Sequence, residues 1–278
     1  MDIDEFAAVG TEAAKQAGRY ALDRFRTEFA VEHKGTINLV TEVDIAAEEM
    51  IVTRLKKRFP DHSILAEEKN NETRGGACTW VIDPLDGTTN YAHGFPFFSV
   101  SIGLEISGSV ILGIVYDPVR DELFTARKGS GASCNNEPLY VSKTESLNAG
   151  LLATGFPYDI RTSEQNNLKN FCAFALRCQG VRRTGSAALD LCYVAAGRID
   201  GFWESKLNPW DCAAGYLIVT EAGGLVTDYI GGPASIYKAE VVASNGRIHQ
   251  EMLDVIKAVG SPGPSHDRGP VLFLAFDL

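Results

Sequence analysis

The sequence predicts an α+β / α/β fold in which sheets and helices stack as layers, and three observations lead to that prediction. Helical and strand patterns alternate along the chain, but without the strict strand–helix–strand rhythm of a Rossmann domain. Residues 97–127 indicate three strands joined by short connections, which is typical of an antiparallel meander. A chain of 278 residues with a hydrophobic fraction of 45% can also bury a sizeable core.

The first half of the chain combines two amphipathic helices with short strands. Apolar residues recur at helical spacing in both helices, and Pro60 stops the second one. Gly, Ser and Asn are frequent after the meander, so a loop is predicted there. The predicted elements are a helix over 3–26, a helix from Val43 to Phe59, strands at 63–66 and 80–83, the meander over 97–127, and a loop over 129–139.

The second half continues the alternation. Its predicted elements are a strand at 151–155, a helix near 163–178, a strand at 181–185, a helix at 186–197, a strand at 198–205, a helix at 208–224, strands at 225–228 and 239–244, and a helix near 247–258. We expect one unit over 1–259, with subregions of about 1–145 and 146–259. The tail 260–278 is rich in Pro and Gly and then apolar, and the sequence assigns it no role.

The charge balance argues against several classes of partner. The formal net charge is −10, and such a surface repels nucleic acid and anionic lipid, so direct nucleic-acid binding is not expected. No apolar run approaches the roughly 20 residues of a membrane span, and the acidic N-terminal stretch does not resemble a signal peptide. The six cysteines form no C-x-x-C pair, which favours free thiols in a reducing compartment. We therefore expect a cytoplasmic protein.

The stretch 80–94, WVIDPLDGTTNYAHG, carries the most informative chemistry. Asp83 and Asp86 lie three positions apart, directly after an apolar run that is typical of a buried strand. Two buried carboxylates at this range repel each other and lose hydration, so a cation is expected to compensate them. Glu67 and Asp211 also occupy the ends of predicted elements, where active sites gather. Carboxylates are ligands that Mg²⁺ prefers, and three or four of them would hold two ions for phosphoryl transfer.

Each acid also has an ordinary structural explanation when it is taken alone. Asp86 and Gly87 form a common turn pair, and an isolated D-x-x-D is structural far more often than catalytic. Asp211 suits the first turn of a helix, and Asp44 would complete a capping box with Thr41. Taken one residue at a time, these arguments do not decide whether a metal site exists.

The residues after Asp86 favour a phosphate ligand. Gly87 allows the backbone to approach a ligand closely, and two threonines follow it. If a helix begins here, the free amides of Gly87 and Thr88 form an anion site. Metal ions on one side and amides on the other would then enclose a phosphate group without any basic cradle.

Long motifs now identify a family. WVIDPLDGTTNYAHGFPFFSVSIGL and NPWDCAAGYLIVTEAGG resemble those of the inositol monophosphatase family, which comprises Mg²⁺-dependent, lithium-sensitive phosphatases. LVTEVD, LAEE and RRTGSAALDLCYVAAGRIDGFWE match further blocks and are similar to those of bacterial inositol-1-monophosphatases. The resemblance covers roughly residues 5 to 258. It implies a sandwich of alternating α-β-α-β-α layers, of the sugar-phosphatase type, and a homodimer.

The resemblance also implies the metal ligands. Glu67, Asp83 and the backbone carbonyl of Leu85 would bind a first Mg²⁺ ion. Asp83, Asp86 and Asp211 would bind a second ion, and a weaker third ion would contact Glu67. Two or three ions per active site are therefore expected.

The remaining roles concern catalysis and the substrate, and they too are implied by the resemblance. Asp44 and Thr88, with Glu67, would orient and activate the water that attacks phosphorus directly. The amides of Gly87 and Thr88 would hold the phosphate. The substrate hydroxyls would face a further set of residues: Asp86, Gly185, Ser186, Ala187, Glu204 and Asp211.

The expected reaction is hydrolysis of inositol-1-phosphate to myo-inositol and phosphate, and several alternatives stay open. Relatives act on fructose 1,6-bisphosphate, histidinol phosphate or other sugar phosphates, and the loops near 156–165 and 205–209, which line the entrance, vary among them. A haloacid-dehalogenase-type phosphatase fits poorly, because its two aspartates are separated by one residue, whereas two separate Asp83 and Asp86. An alternative of another class is a regulatory binding protein that retains the fold.

Overall fold

The computed structural model describes residues 2–27, 31–33, 39–69, 71–73 and 76–260. The predicted tail therefore lies outside the described residues, apart from Gly260.

The first half builds a large sheet and the two helices that cover it. In chain order its elements are α1 (Ile3–Arg24), β1 (Val31–His33), β2 (Leu39–Thr41), α2 (Glu42–Arg58), β3 (Ser63–Ala66), β4 (Asn71–Glu72), β5 (Cys78–Asp86), α3 (Thr88–Ala92), β6 (Ser99–Ile106), β7 (Ser109–Asp117), β8 (Glu122–Arg127), β9 (Ala132–Cys134) and β10 (Glu137–Pro138).

The second half builds a smaller sheet between helices. After a 3₁₀ turn (Leu147–Ala149), its elements are β11 (Leu151–Thr154), α4 (Leu168–Ala175), β12 (Gly180–Arg182), α5 (Ala187–Ala195), β13 (Gly201–Ser205), α6 (Pro209–Glu221), β14 (Leu225–Thr227), β15 (Glu240–Ser244) and α7 (His249–Gly260).

Two mixed sheets dominate the structure. The eight-stranded sheet has the order β10-β9-β8-β7-β6-β5-β3-β4, and within it β3 and β5 are parallel whereas the other neighbours are antiparallel. The five-stranded sheet has the order β12-β11-β13-β15-β14, with β11 parallel to both its neighbours. Strands β1 and β2 form a separate antiparallel pair. The predicted meander corresponds to β6, β7 and β8.

The elements stack as five layers. Helices α1 and α2 pack on one face of the eight-stranded sheet, and α5 and α6 pack on the other face. The five-stranded sheet lies against α5 and α6, and α4 and α7 cover its outer face. Helix α6 is apolar around its circumference from Cys212 to Val219, as a helix buried between two sheets must be. The α-β-α-β-α order confirms the predicted fold class.

Several predicted boundaries are wrong. The strand predicted at 80–83 continues to Asp86, because β5 resumes its pairing with β6 after an irregularity in the ladder. The helix predicted near 163–178 is shorter, because it begins only after Asn167, whose φ is +66°. The predicted loop 129–139 contains β9 and β10, and the strand predicted at 181–185 ends at Arg182.

Two glycines bring α6 close to the large sheet. Gly103 of β6 and Gly113 of β7 are paired across the ladder and lie beneath α6. A Cβ on Gly103 would lie 2.9 Å from the Cβ of Ala213, and one on Gly113 would lie 2.6 Å from the carbonyl oxygen of Ala214. Both positions are therefore restricted to glycine by close packing. This contact fixes the first turn of α6, which carries Asp211, against the sheet that carries Asp83.

His249 opens α7 in a buried position. Its Nε2 lies 2.9 Å from the Thr227 hydroxyl and its Nδ1 lies 2.9 Å from the Ser244 hydroxyl, so both ring nitrogens have neutral partners. Burial lowers the pKa of His249 to about 4. The neutral imidazole is the form that the fold accommodates.

This burial predicts a loss of stability in acid. In the unfolded chain His249 binds a proton near its ordinary pKa of 6.5, whereas in the folded chain it does so only near pH 4. Protonation therefore favours the unfolded chain between these values, and the stability present above pH 6.5 is lost as the pH falls to 4. We expect the wild type to lose about 3 kcal/mol more than the His249→Gln variant across that range. Urea unfolding at several pH values measures this difference, and parallel pH profiles would contradict it.

Candidate active site

One cavity of about 440 Å³ gathers residues from both halves of the chain. Its walls include nearly every residue that the sequence predicted for the site: Glu67, Asp83, Leu85, Asp86, Gly87, Thr88, Gly185, Ser186, Ala187, Glu204 and Asp211. Asp44 alone of the predicted set does not line the cavity and lies behind Thr88. The predicted carboxylates are thus brought to one place, although they are distant in sequence.

The parallel pairing of β3 and β5 sets Glu67 beside Asp83. Ala66 is paired with Ile82, so Glu67 and Asp83, the residues that follow them, lie side by side at the same end of the two strands. The amide of Glu67 still donates to the carbonyl of Ile82 at 3.2 Å, which continues the ladder by one bond. This register places the two acids next to each other.

The D-P-L-D stretch turns two side chains of β5 into the cavity. Asp83 is paired with Ser101 and Asp86 with Ser99, and the register shifts between the two acids. Pro84 lies in this irregularity, where no ladder amide is required of it. The Asp83 carboxylate accepts a hydrogen bond from the Leu85 amide at 3.0 Å. A regular strand would direct residues 83 and 86 to opposite faces, so the bulge brings them together.

The start of α5 holds Asp86 from the other half of the chain. One carboxylate oxygen of Asp86 accepts the Ser186 hydroxyl and the Ala188 amide, the latter at 2.8 Å. Burial raises the pKa of Asp86 to about 6, although these hydrogen bonds lower it. Asp86 is therefore oriented by donors on one oxygen, which leaves the other available to a cation.

Asp211 enters the cavity from the first turn of α6. Its carboxylate accepts the amide of Asn208 at 2.6 Å and completes a capping box with that residue. Burial raises the pKa of Asp211 to about 8, and Asp86 and Glu204 repel its charge further. Asp211 therefore caps the start of α6, as the sequence suggested, and its side chain also lines the cavity.

The electrostatics of Asp83 fit a divalent cation. Asp83 is 1% exposed. Burial, and then repulsion by Glu67, Asp86 and Asp211, raise its pKa well above the ordinary range. A cation among these four acids would relieve both effects. In the described part of the chain, no three Asp, Glu, His or Cys side chains already form a complete ligand set. Mg²⁺ in general takes few carboxylates and fills the rest of its octahedron with water and phosphate oxygens.

Thr88 connects the cavity to Asp44. Its hydroxyl lies 2.8 Å from a carboxylate oxygen of Asp44 and 3.0 Å from the carbonyl oxygen of Leu85, and it donates its single proton to one of them at a time. Asp44 is 1% exposed, and burial raises its pKa. Its second oxygen accepts the amide and hydroxyl of Thr41, so the predicted capping box of α2 is present. Asp44 reaches the cavity only through Thr88.

Gly87 forms the turn between β5 and α3. Its φ is +96°, which L side chains rarely adopt, and a Cβ there would lie 3.0 Å from the Phe97 carbonyl oxygen. Helix α3 then starts at Thr88, which meets the condition stated for an anion site at this turn. The amides of Gly87 and Thr88 therefore come at the beginning of a helical turn that lines the cavity.

Glu48 fixes the loop that carries Glu67, a role that no sequence pattern indicates. It lies one turn after Asp44 on α2 and is 1% exposed. Its two carboxylate oxygens accept the amides of Glu68 at 2.7 Å and Lys69 at 2.8 Å. Helix α2 thus sets the distance between the Asp44–Thr88 pair and Glu67.

We expect Glu48→Gln to release this loop, because an amide side chain has one acceptor oxygen for two backbone donors. The loss of a charge-assisted hydrogen bond in a buried place should lower the free energy of unfolding by about 2 kcal/mol. Hydrogen exchange should also show faster exchange of the Glu68 and Lys69 amides. Glu49→Gln, an exposed acid on the same helix, is the matched control and should change neither. Unchanged protection of both amides in Glu48→Gln would contradict the role.

The substrate end of the cavity is built around Glu204 and the turn before α5. Burial raises the pKa of Glu204 to about 8, with a further contribution from Asp190. Gly155 leaves room for this carboxylate, since a Cβ there would overlap it at 2.1 Å. Asp190 is 2% exposed and binds the Thr184 hydroxyl. Asp190 was not among the predicted site residues, although an acid inside the apolar helix AALDLCYVA is a detectable signal.

Two loops close the entrance. Lys206 donates to Asp159 at 2.6 Å and to Ser163 at 2.8 Å, and this contact joins the loop near 156–165 to the loop near 205–209. Tyr158 lines the cavity on the first of these loops and is 54% exposed. Both loops predicted to line the entrance therefore do so.

Comparison with known proteins agrees with this geometry. The model described as "Inositol monophosphatase family" matches residues 2–260. A Synechocystis sp. protein named inositol-1-monophosphatase is 45% identical over 260 residues, which cover 92% of this chain and 90% of the relative. An Escherichia coli protein named Nus factor SuhB is 44% identical over 248 residues, which cover 88% of this chain and 93% of the relative.

A solved structure shares the fold. The inositol monophosphatase from Anabaena (Nostoc) sp. matches with a TM-score of 0.84 and 43% identity, over 92% of this chain and 97% of its own. The family match spans nearly the whole chain, and the relatives exceed 40% identity over about nine tenths of it. The chain therefore belongs to the inositol monophosphatase family of metal-dependent phosphoric monoester hydrolases.

Proposed function

We propose that the chain hydrolyses inositol-1-phosphate to myo-inositol and phosphate with Mg²⁺, by direct attack of water on phosphorus. The observation that carries the proposal is the cavity in which Glu67, Asp83, Asp86 and Asp211 meet beside the Gly87 turn. The Synechocystis relative named inositol-1-monophosphatase supports the choice of substrate.

The proposed ions would be held by ligand sets that share residues. The first ion would be held by Glu67, Asp83 and the carbonyl of Leu85. The second would be held by Asp83, Asp86 and Asp211, and a weaker third ion would contact Glu67. Bound Mg²⁺ would polarise the phosphate and favour ionisation of water. The mutual repulsion around Asp83 supports this assignment, since it requires compensating positive charge.

The chain's own groups perform the remaining steps. The Thr88 hydroxyl orients the attacking water, and Asp44 accepts a proton through that hydroxyl, at 2.8 Å. The amides of Gly87 and Thr88 hold the phosphate oxygens. Glu204 and the residues Gly185 to Ala187 accept and donate hydrogen bonds to the ring hydroxyls, which positions the ester for in-line attack.

A phosphate-release assay tests the proposal. Inositol phosphates, fructose 1,6-bisphosphate, histidinol phosphate and nucleotide phosphates should be compared with Mg²⁺, with EDTA, and with millimolar lithium. We expect fastest release from inositol-1-phosphate, no release in EDTA, and inhibition by lithium. Another preferred ester would move the assignment to the corresponding sugar phosphatase of the family. Trapping of a phosphorylated aspartate would refute direct attack by water.

A homodimer in the cytoplasm is proposed from the family resemblance. Light scattering should give twice the chain mass of 30.1 kDa. No helix among the described residues is long and apolar enough to span a membrane.

A regulatory role is the second candidate, and the E. coli relative named Nus factor SuhB is the observation that favours it. A protein that only binds a partner would release no phosphate from any ester in the assay above. The carboxylates that line the cavity favour the enzyme, because a scaffold has no need of them.

A further inference from the structure

Asn90 joins the turn after β5 to the turn before α5. It lies on α3, shortly after Thr88, and is half-buried. Its side-chain amide donates to the carbonyl oxygen of Phe97 at 2.7 Å and to that of Thr184 at 2.8 Å. Both partners are acceptors, so the amino group must face them, and each of its two protons has a partner. Asn90 thus connects α3 to a segment that comes 94 residues later in the chain.

The two turns that Asn90 joins are also in close contact with each other. Gly87 has a φ of +96° and Gly185 a φ of +91°. A Cβ on Gly87 would lie 3.2 Å from the carbonyl oxygen of Gly185, and a Cβ on Gly185 would lie 2.9 Å from the side-chain nitrogen of Asn90. Packing therefore prevents the turns from approaching further. The hydrogen bonds of Asn90 prevent them from separating, so the distance between the turns is fixed in both directions.

The start of α5 has a separate connection to the metal end of the cavity. The Ser186 hydroxyl and the Ala188 amide donate to Asp86, the amide at 2.8 Å, and neither bond involves Asn90. Asn90 instead holds the carbonyl of Thr184, which precedes the glycine of the turn. Loss of the Asn90 amide should therefore release the peptide before that glycine, while the acids of the metal end keep their geometry.

We propose that Asn90 is a positioning residue that sets the distance between the phosphate group of the substrate and the residues that bind its hydroxyls. The inference rests on the proposed function, which has the phosphate at the amides of Gly87 and Thr88 and the hydroxyls at residues 185–187. Asn90 does not line the cavity, so it acts through the turn that it holds and not by contact with substrate. The correct spacing lets the ring hydroxyls be bound while the ester is in line for attack.

Steady-state kinetics with two esters test the proposal. Inositol 1-phosphate carries ring hydroxyls, whereas phenyl phosphate has a ring without them. Asn90→Ala should lower kcat/KM for inositol 1-phosphate by about 10- to 100-fold, because the hydroxyl-binding turn is displaced from the phosphate. The same variant should lower kcat/KM for phenyl phosphate by less than about threefold, because the metal end is unchanged. An equal loss for both esters, or no loss for either, would overturn the proposal.

Two further variants separate positioning from a general loss of stability. Asn245→Ala is the matched control, because the Asn245 amide also donates to two partners, the Ser142 hydroxyl at 2.9 Å and the Thr144 carbonyl at 2.8 Å, and does not line the cavity. It should lower the melting temperature and leave the ratio of kcat/KM for the two esters unchanged. Asn90→Ser has one proton to donate instead of two, so it should show the same selective loss as alanine, and no larger. A wild-type ratio in Asn90→Ser would count against the proposal even if Asn90→Ala were too unstable to assay.

Calorimetry provides a readout that does not require turnover. Inositol 1-phosphate and inorganic phosphate are titrated, each with Mg²⁺, into Asp44→Asn and into Asp44→Asn/Asn90→Ala. The double variant should bind the ester about 10-fold more weakly or worse and inorganic phosphate equally well. If this selective loss is seen while the wild type hydrolyses no ester, the positioning role stands and the proposed function fails. An ester affinity that is the same with and without the Asn90 amide overturns the positioning role whatever the activity.

Discussion

Replacement of Asp83 by Asn should abolish hydrolysis and leave the fold intact. Asp83 is the one acid that both proposed ligand sets share, so its loss affects both ions. If the ions lower the barrier by about 4 kcal/mol or more, kcat falls at least about a thousandfold. Asparagine has nearly the same volume and keeps one oxygen for the Leu85 amide, which donates to Asp83 at 3.0 Å. The cavity therefore keeps its shape while it loses a charge.

Thermal unfolding should measure metal binding independently of activity. Without Mg²⁺, the Asp83→Asn protein should unfold at the same temperature as the wild type or higher, because one of four mutually repelling acids is gone. Added Mg²⁺ should raise the melting temperature of the wild type and not that of the variant. Asp61→Asn, the same exchange at an exposed turn, is the control and should behave as the wild type. Turnover of the variant like that of the wild type at saturating Mg²⁺ would disprove the shared-ligand role.

Replacement of Asp44 by Asn should lower kcat by about 10²- to 10³-fold while Mg²⁺ binding is unchanged. Asp44 touches the cavity only through the Thr88 hydroxyl, at 2.8 Å, so it acts on the attacking water and not on the ions. Asparagine retains an oxygen for the Thr41 amide, so the cap of α2 should lose no more than about 1 kcal/mol.

Two threonine variants decide whether the pair acts as a unit. Thr88→Ser keeps the hydroxyl and should retain most of the activity, whereas Thr88→Ala should lose as much as Asp44→Asn. The Asp44→Asn/Thr88→Ala double variant should be no slower than either single variant, because the proton path is already broken. Effects that multiply in the double variant would show that the two residues act independently.

The layers, and the acids that line the cavity, could be predicted from the sequence because both follow from local patterns. The apolar circumference of α6 and the alternation of strands indicate buried layers directly. The acids of D-P-L-D were found because charged residues at the end of an apolar run are costly without a partner. The bulge that brings Asp83 and Asp86 together was not predicted, since it depends on the pairing of β5 with β6.

Residues that act through tertiary contacts could not be predicted from the sequence. In the sequence Glu48 resembles any acid on a helix. Only the fold brings it beside the end of β3, where the Glu48 carboxylate accepts the amides of Glu68 and Lys69. No periodicity or motif marks such positions, because the partner lies in another element. The length of α4 was overestimated for a similar reason, since the amphipathic pattern extends into the entrance loop.

The hydrogen bonds that hold Asp86 have a consequence for protein synthesis. Its partners, the Ser186 hydroxyl and the Ala188 amide, follow it by about a hundred residues, and Asp211 follows later still. A nascent chain that has displayed WVIDPLDGTTN outside the ribosome therefore still lacks the segments that orient and complete the site. Competence to bind magnesium should appear only when α6 has left the exit tunnel, and stalled chains of defined length would reveal that threshold.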